Sequence, residues 1–304
     1  MVPDMAVLVS SYQRPRHLER VLASIACQQR MQGRFEVVVT DDGSQDESCS
    51  IVEKFARQVA FPVSWTTHPH DGFQLARCRN EGVAASSADY LLFLDGDCLI
   101  PPDHLWHHWR LRRVGHVWAG YCACLDREAS EGLTVDDVRA GRHVAMASFA
   151  ELRKLRRMHW KALGYSFLRH PTKPKLYGGN VGIFREDYER INGYDENFRG
   201  WGCEDDDLRL RLRQAGMRIR SVLGATRTYH LWHPPGQTTP SRWRDGANVD
   251  YLHREGRQAC CERGLSLALS NPERATVRRW PQTSPSVCEP AVCTPSPGLP
   301  SRAA

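Results

Sequence analysis

Four apolar runs in the first hundred residues alternate with amphipathic stretches, and nothing else in the chain limits its fold so tightly. Ala6-Val7-Leu8-Val9, Phe35 to Thr40, Val63 to Thr67 and Tyr90-Leu91-Leu92-Phe93-Leu94 read as buried strands. Between them Pro15 opens a helix with Leu18, Val21, Leu22 and Ile25 at i, i+3, i+4, i+7. Ile51, Val52 and Phe55 mark a second helix, and Leu75 to Ala85 a third. Strand and helix at this pace imply an α/β domain: a mostly parallel central sheet with helices on both faces. Ligands of such sheets bind beyond the carboxyl ends of the strands. Ser10-Ser11-Tyr12, Asp41-Asp42-Gly43-Ser44 and Asp95-Gly96-Asp97 all fall at those ends.

Composition excludes several alternatives. No apolar stretch approaches the roughly 20 residues that span a bilayer, and Met1-Val2-Pro3-Asp4 runs directly into the first strand. No signal peptide is expected, and the expected location is cytoplasmic. The eleven cysteines form no CxxC pair and read as reduced thiols. The net charge of +6 is concentrated between Glu151 and Lys175, where one acid faces eight bases. Leu152, Leu155, His159 and Leu163 recur there at roughly helical spacing, with the bases mostly opposite. A solvated helix face has this pattern. So does a basic amphipathic helix that rests on an anionic membrane or grips an acidic acceptor. No nucleic-acid motif or stacking platform accompanies the charge, so nucleic acid is not an expected partner. Residues 126–175 read as a basic helical insert, and from 271 to 304 a Pro- and Ser-rich tail is expected to be disordered.

The candidate chemistry lies in three places. Asp95 and Asp97 leave a buried strand with one glycine between them. Two ionised carboxylates there repel each other and lose hydration unless a cation sits on them, and a divalent metal carrying a phosphorylated substrate meets that need. Asp-Gly-Asp also suits an ordinary turn. Gly200-Trp201-Gly202-Cys203 is followed by Glu204, Asp205, Asp206 and Asp207 at the start of a helix. The helix dipole alone explains one or two acids there; four in a row after a glycine-flanked indole suit a loop that presents a general base. His230 and His233 lie near the end of a late strand, and neutral imidazole suits Mn(II) beside oxygen ligands. Arg77, Arg79 and Asn80 offer forked donors for phosphate, or simply a surface helix face.

The order Val9-Ser10-Ser11-Tyr12, Asp42-Gly43-Ser44, Arg79-Asn80-Glu81-Gly82, Leu94-Asp95-Gly96-Asp97 resembles the nucleotide-sugar half of family 2 glycosyltransferases. Asn192-Gly193-Tyr194-Asp195-Glu196 and the run from Gly200 to Asp207 resemble the acceptor half of β-1,4-galactosyltransferases and bacterial chondroitin polymerases. The resemblance spans roughly residues 5 to 235. It implies a GT-A fold with a nucleotide-sugar half (1–125) and an acceptor and catalytic half (126–270). It further implies a UDP-sugar donor, Mn(II) or Mg(II), and a glycan acceptor; the basic segment 151–175 suggests a lipid-linked or acidic glycan at the inner membrane face. Ser10, Tyr12 and Asp42 would lie by the uridine and Asp95 by the ribose, while Arg79 is a donor-binding candidate on its guanidinium chemistry alone. Asp97 would bind the metal with His230, His233 being the second choice, and Trp201 would pack between the sugars. Asp205 would be the base of an inverting displacement, with Glu204 and Asp206 holding acceptor hydroxyls. Cys203 departs from the family, which has glycine there. The competing classes are a nucleotidyltransferase, whose Gly-rich phosphate loop is absent after the first strand, a retaining transferase, which should lack the Asp205 base, and a non-catalytic sugar-nucleotide-binding protein.

Overall fold

The computed structural model describes residues 2–235 and 239–280. Eleven strands occur in them: β1 (Met5–Ser11), β2 (Phe35–Asp41), β3 (Val63–Thr67), β4 (Tyr90–Asp95), β5 (Cys98–Leu99), β6 (His116–Ala119), β7 (Cys122–Cys124), β8 (Asn180–Phe184), β9 (Arg218–Ser221), β10 (Thr228–His230) and β11 (Thr276–Trp280). The main sheet runs β11-β3-β2-β1-β4-β8-β6-β9. β3, β2, β1 and β4 are mutually parallel, as their uninterrupted apolar runs require, and every residue of β1 and β2 is buried. β8 lies antiparallel to both β4 and β6, so the sheet is mixed on that side.

Alternate residues of each strand feed opposite faces. Val7, Val9, Val37 and Val39 pack with Leu18, Val21, Leu22 and Ile25 of the helix Pro15–Ala26. Ala6, Leu8, Val38 and Phe93 face the other way, sharing a core with Val83, Leu208 and Leu212. The helix Leu75–Ala85 approaches β2 so closely that a Cβ on Gly82 would stand 2.3 Å from Thr40 Cγ2.

A second sheet, β5-β10-β7, sets up the site. Its register puts His230 opposite Cys98, and the Leu231 amide donates to the Asp97 carbonyl at 2.9 Å. A histidine from residue 230 is thereby held beside the turn that leaves β4.

Two expectations change here. The chain does not become irregular at 271: Pro272–Arg274 forms a 3-10 turn and β11 pairs antiparallel with β3. The cause is ionic and backbone pairing rather than apolar burial, which is why composition hides it. Arg274 donates to Glu81 at 3.1 Å and to Glu196 at 2.6 Å. The rest of the expected tail, 281–304, lies outside the described residues. The basic segment contains the helix Phe149–Phe167, capped by Ser148, but its inner face is Leu155 and Ala162; Leu163 is 40% exposed. No helix among the described residues is long and apolar enough to cross a membrane.

Candidate active site

The carboxyl ends of β1, β2 and β4 and the start of the helix Glu204–Gln214 converge on one charged region. Around Asp97 three basic side chains gather: Arg14 Nη1 at 2.8 Å, His233 Nε2 at 3.2 Å and His230 Nε2 at 3.6 Å. Burial opposes the charged form of Asp97, but the His233 hydrogen bond and the His230 and Arg14 charges outweigh it and hold its carboxyl below the usual range. The Asp97 hydrogen bond in turn raises His233. Asp97, His230 and His233 can each offer one ligand atom within 4.8 Å of the others. One carboxylate and two imidazoles suit Mn(II) better than Mg(II), which prefers oxygen ligands. Arg14 is 33% exposed and not otherwise paired among the described residues, so it can turn toward an incoming anion.

Asp95 has a different neighbour. Arg79, fully buried, donates Nη2 to Asp95 at 3.0 Å and Nη1 to Asp205 at 2.9 Å, with Tyr194 stacked 4.8 Å from its guanidinium. Gly178 and Gly179 make room: a Cβ on the first would strike Arg79, and on the second would stand 2.6 Å from Asp95 Oδ2. Arg79 therefore bridges two carboxylates, Asp95 and Asp205. Asn80 reinforces the junction, binding the Tyr194 backbone, Tyr188 and Glu196.

The four acids after Cys203 have four environments. Asp207 is fully buried among Arg211, Arg254 and Arg257, a structural assignment. Asp206 pairs with Arg209 at 2.9 Å and Lys175 at 3.6 Å. Asp205 Oδ1 accepts from Arg79 and from the Tyr194 hydroxyl at 3.0 Å, while among the described residues Oδ2 accepts only the Gly178 amide, at 2.7 Å. A carboxylate oxygen has two lone pairs, so Oδ2 keeps one free. Glu204 is buried with Oε2 unpartnered, and burial with the Asp205 charge pushes its carboxyl up to about 8. Cys203 stands at φ 75° and ψ −18°, the left-handed backbone that favours glycine. Gly200 and Gly202 are also left-handed, Asn248 holds both their carbonyls, and Trp201 is 39% exposed.

On the nucleoside side, Tyr12 stacks on His70 with centroids 4.3 Å apart. Asp42 Oδ1 meets His68 at 3.0 Å, Oδ2 accepts the Gln74 amide, and His68 continues to Glu81 at 2.8 Å. Ser10 is nearly buried, its hydroxyl 3.2 Å from Thr40 Oγ1. Arg14, His68 and His70 carry no motif of their own. Arg14 lies two residues beyond the Ser10-Ser11-Tyr12 strand end, the one local signal available; the histidines are fixed by long-range contacts.

Comparison with known proteins agrees with this geometry. Residues 6–115 match the family model of glycosyl transferase family 2, and residues 162–234 that of the N-terminal domain of galactosyltransferase. Validoxylamine A glucosyltransferase of Streptomyces hygroscopicus subsp. limoneus is 27% identical over 233 residues, covering 71% of this chain and 49% of its own. Chondroitin synthase of Escherichia coli is 26% identical over 268 residues, with 82% and 38% covered. The chain thus spans about half the length, or less, of these relatives. Human β-1,4-galactosyltransferase 3 is 35% identical over 92 residues, 30% of this chain and 19% of its own. In fold, the chain is similar to S. aureus TarS 1-349 in complex with UDP-GlcNAc (TM-score 0.52, 17% identity, 77% and 60% covered). It is equally similar to the catalytic domain of Drosophila β1,4-galactosyltransferase 7 (TM-score 0.51, 16% identity, 87% and 84% covered). The chain has the GT-A fold and is similar to family 2 glycosyltransferases over residues 6–115 and to galactosyltransferases over residues 162–234.

Proposed function

We propose that the protein transfers a hexose or N-acetylhexosamine from a UDP-sugar to a hydroxyl of a glycan or lipid-linked acceptor, with inversion at the anomeric carbon. The observation that carries this reading is the free lone pair of Asp205 Oδ2, in a carboxylate positioned by Arg79, Tyr194 and Gly178. The acceptor hydroxyl gives its proton to that oxygen as its own oxygen attacks the anomeric carbon; the bond to the UDP oxygen breaks on the opposite side. One displacement turns an α-linked donor into a β-linked product. Ser10, Tyr12, His70 and Asp42 receive the uridine, Asp95 the ribose, and Arg14 swings from Asp97 to the diphosphate. Trp201 packs between the two sugars, and Glu204 and Asp206 hold acceptor hydroxyls. Bound by Asp97, His230 and His233, a divalent Mn(II) or Mg(II) supplies the positive charge that stabilises the departing diphosphate.

The chondroitin synthase relative and the UDP-GlcNAc complex of the structural neighbour support a UDP-sugar and a glycan. The helix Phe149–Phe167 exposes Phe149 (78%), Trp160 (66%) and Phe167 (87%) beside Arg153 and Arg156, a face suited to an anionic membrane surface. We place the protein in the cytoplasm, peripheral at the inner membrane face, on that feature. Asp205→Asn tests the base: UDP affinity should stay within about twofold and turnover should fall by about 10²–10⁴. Full transferase activity in Asp205→Asn would sink the assignment.

A further inference from the structure

A cavity of about 170 Å³ opens beside the catalytic carboxylates, between the helix Phe149–Phe167, the segment 173–177 and the ends of β6 and β9. Its wall carries Lys161, Lys173, Lys175 and Arg220 and no carboxylate. Lys175 leans toward Asp206 at 3.6 Å; the other three have no carboxylate partner among the described residues. The Tyr121 and Tyr177 rings meet at a tilt along the same wall, their centroids 4.4 Å apart. Tyr177 precedes Gly178, whose amide binds Asp205, so the cavity lies one residue from the base.

Uncompensated cations in a half-enclosed cleft cost free energy by mutual repulsion and are relieved by an anion. Paired tyrosine rings add an apolar flank with polar tips, suited to a sugar face. We infer that this cavity is an acceptor subsite for an anionic sugar, one bearing a carboxylate or phosphate, next to the residue whose hydroxyl reacts. The inference rests on the transferase reading for its place in the reaction, but not for its existence as a binding site.

Binding is measured by calorimetry on the full chain with UDP and Mn(II) present. Three probes are compared: p-nitrophenyl β-glucuronide for a carboxylate, glucose 6-phosphate for a phosphate, and p-nitrophenyl β-glucoside as the neutral control. At least one anion should bind tenfold or more tightly than the glucoside, and which one does identifies the source of the charge. Lys161→Gln and Arg220→Gln should each erase most of that advantage. UDP affinity in the same samples reports whether a variant still folds, and Lys161, on an exposed helix face, is the safer of the two. No binding of either anion, equal binding of the glucoside, or an advantage that survives both substitutions would overturn the inference. If no UDP-sugar is consumed yet the anion preference stands, the transferase reading fails and the subsite remains. If transfer occurs with no anion preference, the reverse holds.

Discussion

Asp95 hands one carboxylate oxygen to a guanidinium that is 1% exposed, whereas Asp97, two residues on, faces a partly exposed arginine and two histidines. The Arg79 region is locked: Asp95, Asp205, Tyr194 and the backbone beyond Gly178 are all fixed by one buried cation. The Asp97 region gathers imidazoles and charge but has no such clamp, and its Arg14, 33% exposed, pairs with Asp97 alone among the described residues. The difference teaches how one Asp-Gly-Asp turn serves two purposes: its two carboxylates, which offer oxygens within 4.8 Å of each other, meet different cations. Gly96 has no room for a side chain, its Cβ position lying 2.7 Å from the Ser10 carbonyl.

The sharpest way to break this comparison is Arg79→Met. It would leave Asp95 and Asp205 without their shared cation, and losing one partner of a buried ion pair costs about 3–5 kcal/mol. Denaturant unfolding should show that loss; a change under about 1 kcal/mol would mean the locked region is not locked. Next comes Arg274→Ala, which unpins β11 from Glu81 and Glu196 and should cost about 2 kcal/mol by the same measurement.

Glu204 sharpens the comparison through pH. Its folded value of about 8 lies above the ordinary 4.5, so the neutral carboxyl is favoured by folding. Its contribution to stability is fully present below pH 4.5 and is lost as pH rises through about 8. Unfolding free energy measured at pH 5 and pH 8.5 should drop by on the order of 2 kcal/mol in the wild type, and Glu204→Gln should flatten that slope. The smallest effect is expected for Cys203→Gly. Relief of the left-handed backbone, worth about 1 kcal/mol, is offset by losing the thiol's contact with Phe198 and Leu252. The net change in unfolding free energy should stay within about 1 kcal/mol.

Much of this was legible in the sequence, and the reason is burial. β1 to β4 are covered on both faces, so Ala6 to Val9 and Tyr90 to Leu94 announce themselves as continuous apolar runs, and the helix Leu75–Ala85 was read with its observed ends. The convergence of Asp97, His230 and His233 followed from family motifs and not from spacing, because β5, β7 and β10 have only two or three residues and carry no period. The pairing of Arg79 with Asp95 and Asp205 was not legible, because a guanidinium's partners 16 and 126 residues away leave no local trace. β11 escaped for the same reason: Arg274 reaches Glu81 and Glu196 across nearly 200 and 80 residues, while its own neighbourhood looks like a linker.

The central claim is that Asp97, His230 and His233 hold the divalent cation through which the donor's diphosphate is bound. Titration of UDP into the protein with and without Mn(II), for the wild type and Asp97→Ala, tests it most directly. Mn(II) should tighten UDP binding at least tenfold in the wild type, and Asp97→Ala should abolish this gain without unfolding the chain. UDP binding that ignores Mn(II), or a gain that survives in Asp97→Ala, would contradict it.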